Sequence, residues 1–184
     1  MIYESGYWKK DLLKRAGVLR KRMIQRRWVP ASFPRIEQTV MLGFYSIRKL
    51  IEVQKLSNDV AGQRLALDAF PWLGTPVNRH NRLYFNKLYD LKAGSSKNCD
   101  LLFVCHQLVH SYIFALCGDE NMRLEGIYVT SERERHKFLY FASIQTIVDL
   151  FEQVGSNYPN QIHSRYDPQK QDYVLFSQVV SNEE

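Results

Sequence analysis

Cysteine is scarce in this chain. The three residues, at 99, 105 and 117, are odd in number and show no C-x-x-C spacing. That excludes a disulfide framework and the paired-cysteine zinc motifs, and it points to a reducing, cytoplasmic setting. Proline (6) and glycine (9) are too few for a collagen-like or Pro/Gly-rich low-complexity chain of 184 residues. No apolar segment ahead of a small-residue cleavage site is found near Trp8, where charged residues follow, so no signal peptide is expected. Long hydrophobic runs are also missing. Residues 101–118 contain no Asp, Glu, Lys or Arg over 18 positions, but His106, Gln107, His110 and Ser111 interrupt them. A span needs about 20 predominantly apolar residues. This segment therefore reads as a buried core helix, and no membrane partner is expected.

What is present is a globular mix: 45% hydrophobic, 24% charged and 13% aromatic residues, with a net charge of +6. The basicity is local. Residues 1–27 carry Lys9, Lys10, Lys14, Arg15, Arg20, Lys21, Arg22, Arg26 and Arg27 against Glu4 and Asp11, which is 9 minus 2, or +7. The other 157 residues carry 16 positive and 17 negative charges, or −1. Trp8, Leu12, Ala16, Leu19 and Met23 recur at helical steps in this segment, so it reads as an amphipathic helix with a basic solvent face. Such a face suits RNA, DNA, anionic headgroups or an acidic protein partner, and it is equally what an ordinary solvated helix presents.

The pattern along the chain predicts helices over 6–27, 35–56 and 101–116, a short strand at 64–69, and a loop at 93–97. After residue 118 it changes to a β-hairpin over 124–131 and 137–141, a helix over 143–154, a polar loop over 157–170 and a last strand over 173–180. The fold class expected is mainly α within α+β. Residues 1–118 form a helical bundle, and residues 119–184 form a β-hairpin, helix and strand appendage packed on it.

One constellation carries chemistry: Cys105-His106-Gln107-Leu108-Val109-His110-Ser111. His106 and His110 are four apart and share a helix face. Two imidazoles fill two corners of a zinc site, but no third ligand is evident, so no metal and no cofactor is expected. Either histidine suits general base work near neutral pH. The segment resembles the HEPN superfamily of small helical bundles, many of them RNases of toxin–antitoxin, antiphage and CRISPR systems. In its signature an Arg precedes a polar residue, then three residues and the catalytic His. His106 matches the polar position and His110 the catalytic one, whereas Cys105 stands where the family has its Arg. A thiol supplies no cation to a scissile phosphate. Arg48, Lys49, Arg79 and Arg82 are the cations that folding would have to bring in.

The reading expected first is therefore a non-catalytic binding or assembly protein, HEPN-like. It engages nucleic acid or a protein partner, a second copy included, through the basic N-terminal helix. The resemblance implies a bacterial defence or toxin–antitoxin setting. The alternatives are a metal-independent RNase using His110 and His106, and a structural subunit of a larger complex.

Overall fold

The computed structural model describes residues 2–169 and 171–180, so Lys170, at the end of the expected polar loop, lies outside the described residues. The chain begins with helix α1, Ser5–Met23, whose Leu12, Ala16 and Leu19 are fully buried at steps of four and three residues. Helix α2, Ser32–Glu52, follows. Pro34 sits in its first turn, where a missing N–H leaves no bond unmade. Its buried stripe is Ile36, Val40, Phe44, Ile47 and Leu50. A single helical turn, α3 (Asn58–Ala61), leads into strand β1, Arg64–Pro71.

Five antiparallel strands make the main sheet: β1, β2 (Ser95–Asp100), β3 (Ser111–Gly118), β4 (Leu124–Ser131) and β5 (Phe138–Ser143), in the order β2-β1-β5-β4-β3. Leu65 pairs with Cys99, Ala69 with Tyr140 and Phe114 with Val129. The alternation of each strand divides its side chains between two cores. Leu67, Ala69, Ile127, Val129, Tyr140 and Ala142 join α1, α2, α4 (Leu101–Val109) and α5 (Ile144–Gly155) in the larger core. Ile113 and Leu139 face the opposite side, where Val77, Leu88 and Tyr89 of the long β1–β2 connection, with a 3₁₀ turn at Arg82–Lys87, cover the sheet. A separate two-stranded ribbon, β6 (Gln161–Asp167) and β7 (Asp172–Gln178), closes the described chain.

The expected helical bundle with a β appendage is not the architecture. Helix accounts for 40% and strand for 29%, and the antiparallel sheet is the centre of an α+β fold. Two segments cause the difference. The apolar stretch after residue 101 is half helix and half strand: α4 ends at Val109, and residues 111–118 become edge strand β3. An uncharged run suits a buried helix and a buried strand equally, and periodicity does not separate them. Of the expected loop at 93–97, residues 95–97 are the start of β2, a polar edge strand with Ser95, Ser96, Lys97 and Asn98, lacking the β-branched signal of a central strand. Because β3 pairs with β4, the boundary drawn at 118 crosses a continuous sheet. The strand β7 pairs with β6, inside the segment expected as loop, and not with the earlier hairpin.

Candidate functional site

The two histidines stand where α4 turns into β3. His106 is in the last turn and half-buried, and His110 is the C-cap residue, exposed, with φ −112° and ψ 33°. Their rings meet edge to face, centroids 5.9 Å apart and planes at 87°. They border a groove of about 690 Å³ whose far wall is the β4–β5 turn, Ser131 to Glu134. Gln107, buried between them, fixes that wall: its Oε1 accepts the Ser131 N–H at 2.9 Å.

Helix α2 contributes the cation. Arg48 Nη1 lies 3.1 Å from His110 Nε2. A guanidinium only donates, so this nitrogen is the acceptor and its ring carries the proton on Nδ1. Arg48 Nε also donates to Glu52 Oε1 at 2.7 Å, and Lys49 Nζ donates to Glu52 Oε2 at 2.7 Å. These two hydrogen bonds, Lys49's the stronger influence, hold the Glu52 carboxyl below the ordinary carboxylate range. Arg133 enters from the turn and is exposed. Burial and then the positive charge of Arg48, with His110 and Arg133 behind it, lower the His106 pKa from the usual imidazole value.

Of the four cations named from sequence, folding delivers Arg48 alone to His110. Lys49 is turned to Glu52 and the Tyr45 ring. Arg82 rests on Tyr112, with Nη1 donating to the Tyr112 carbonyl at 3.3 Å. Arg79 is exposed in the β1–β2 connection. Cys105 is fully buried, and desolvation pushes its thiol up to about 12, so it is no nucleophile. Among the described residues no group of three His, Cys, Asp or Glu side chains is placed to hold a metal. Sequence reasoning missed Gln107 and Glu52. A buried glutamine inside an apolar helix was the visible signal for the first, and an Arg–Lys–Glu spacing of three and four for the second.

The basic helix is less uniform than its sequence. Lys9 is not on the solvent face. It is buried, donating from Nζ to the Lys55 carbonyl at 2.8 Å and lying 4.5 Å over the Tyr158 ring, and burial lowers its pKa. Arg15 is paired with Asp11 at 2.6 Å and Arg20 with Glu152 at 2.6 Å. Arg22 bonds the Gln25 side chain. Lys10, Lys14, Lys21, Arg26 and Arg27 remain exposed. None of these five lines the histidine groove among the described residues.

No family model, no curated protein and no solved structure matches the chain. No described helix is long and apolar enough to cross a membrane.

Proposed function

We propose that the chain is a metal-independent ribonuclease whose site is the groove at the end of α4. The observation that carries this is the Arg48 guanidinium 3.1 Å from His110 Nε2, beside a second imidazole. It brings from another helix the cation that the local sequence lacks. The reading rests on this constellation; the helical bundle that the HEPN resemblance implies is absent from the fold. His106, kept neutral by burial and cations, takes the proton of a ribose 2′-hydroxyl. The 2′-oxygen attacks phosphorus and the bond to the 5′-oxygen breaks, leaving a 2′,3′-cyclic phosphate. When Arg48 turns from His110 Nε2 to the phosphate, that nitrogen is free to take up a proton, and the imidazolium so formed gives it to the leaving oxygen. Arg48 donates to the non-bridging oxygens as charge builds on them.

Wild type and His110→Ala, incubated with single-stranded RNA in excess chelator, test this. Removal of the general acid is expected to lower the rate by roughly 10²–10⁴-fold. A 2′-deoxy residue at the cleaved position should block the reaction. Equal cleavage by the two proteins ends the proposal.

The non-catalytic binding and assembly readings keep one observation of their own. Tyr7, 77% exposed, shares a face of α1 with Lys10, Lys14 and Lys21, and Tyr3, 99% exposed, lies just ahead of that helix. Affinity of His110→Ala for RNA and DNA against salt separates them. Phosphate neutralisation gives a steep negative slope in log affinity against log salt, and a lone stoichiometric protein partner gives none.

A further inference from the structure

The C-terminal end of α1 differs from the rest of that helix. Here the chain exposes large apolar side chains: Ile24 is 75% exposed, Val29 57% and Phe33 50%. Across from them stands Met122 of the β3–β4 turn, 65% exposed. The two segments are joined. Trp28 Nε1 donates to the Met122 carbonyl at 2.5 Å, and the Trp28 and Phe33 rings stack at 5.8 Å. A shallow apolar cleft of about 230 Å³ runs between Trp28, Phe33, Leu116 and Met122. Around this patch stand Lys21, Arg26, Arg27 and Arg123, all exposed and none in an ion pair among the described residues. The exposed acid of the turn is Glu120, while the Asp119 carboxylate is occupied by the N–H groups of Asn121 and Arg123.

Met122 adds a second observation. Its φ is 61°, the left-handed region that glycine and asparagine fill at little cost. A solvated turn gains nothing from a long apolar side chain there. A surface that must bury one does.

We propose that this end of the molecule is a docking face for an anionic lipid bilayer, on which the protein lies peripherally. An exposed apolar patch inside a rim of unpaired cations matches a bilayer's two layers, headgroup phosphate outside and acyl chain beneath. Nucleic acid would use the cations and leave Ile24, Val29 and Met122 in water. An acidic soluble protein would not require aliphatic side chains at the tips of two loops. The face lies apart from the histidine groove, so the proposal stands without the ribonuclease reading.

The test is cosedimentation of the full chain with vesicles of phosphatidylcholine holding about 30 mol% phosphatidylserine, at about 0.15 M salt. Binding is expected there and at least tenfold weaker on phosphatidylcholine alone. Two double variants divide the contributions. Ile24→Glu with Met122→Asn removes the apolar layer, and asparagine tolerates the left-handed backbone. Arg26→Glu with Arg27→Glu reverses the rim. Each is expected to weaken partitioning at least tenfold while the thermal midpoint stays within a few degrees. Three results overturn the proposal. The first is absence of binding to the anionic vesicles. The second is binding that Ile24→Glu with Met122→Asn leaves intact, which would mark plain polyanion adsorption that an RNA oligonucleotide should then compete away. The third is a dimer by light scattering that the same variant dissociates, which would assign the patch to a second copy.

Discussion

At the scale of single residues, the site turns on a contact 62 positions long in sequence, between Arg48 and His110. A general base must be neutral to act, so the acid limb of the rate profile reports its pKa. The folded value for His106 is depressed, by burial first and then by Arg48, His110 and Arg133. The neutral fraction of His106 therefore rises at lower pH than for a free imidazole of 6.5, and the acid limb should lie below that value. Arg133→Gln removes one of the depressing charges from an exposed position. It should move the limb of kcat/KM upward, toward the ordinary value, and high salt should do the same to wild type. A limb that stays in place under both would take His106 out of the base's role. Lys9 shows the opposite use of a cation. It is buried with its ammonium on the Lys55 carbonyl, so Lys9→Met should leave that carbonyl unpaired and cost about 1–3 kcal/mol in denaturant unfolding.

Among the elements, the helices were the legible part. Leu12, Ala16 and Leu19, or Ile36, Val40 and Phe44, bury a continuous stripe whatever lies opposite, so their period is visible in isolation. Glycine contacts between elements were not. Gly43 of α2 faces α5 so closely that a Cβ there would lie 2.1 Å from the Phe151 ring, which also meets the Phe44 ring edge to face with centroids 5.4 Å apart. Gly43→Ala raises helix propensity and would pass as a gain from sequence alone. Here it should destabilise by about 1–3 kcal/mol through overpacking, or roughly 2–4 °C in Tm per kcal/mol for a chain of this length. A rise in Tm would mean that α2 and α5 stand further apart than this contact. The same limit hid the site. The i, i+4 pair of His106 and His110 could be seen, because one helix makes it. The Arg48 contact depends on how α2 crosses α4, and the β4–β5 wall depends on a sheet whose edge strands were read as helix and loop.

The whole molecule consists of one large assembly and one small one, unequal in what holds them. The five-stranded sheet has cores on both faces, whereas the β6–β7 ribbon leaves Ile162, Tyr166, Tyr173 and Phe176 largely in water. A lone two-stranded hairpin is marginally stable. This one is tied down by its end. Ser177 Oγ donates to the Leu56 carbonyl at 2.7 Å, Ser177 N–H to Asn58 Oδ1 at 3.0 Å, and Leu175 N–H to Gln54 Oε1 at 3.3 Å. All three acceptors lie in the short link from α2 through α3, so the ribbon hangs on a few polar bonds and little apolar area. It should therefore open as a unit of its own, well below the free energy of global unfolding. Asn58→Ala removes the acceptor of the Ser177 amide next to a buried serine side chain. A penalty of about 1–3 kcal/mol, felt locally, is expected to speed amide exchange across residues 161–178 by roughly tenfold to a hundredfold. Amides of β4 and β5 should keep their wild-type rates. Equal acceleration in both sheets would show that the ribbon unfolds only with the rest, and that its exposed aromatics are held by the global fold instead of by its own three anchors.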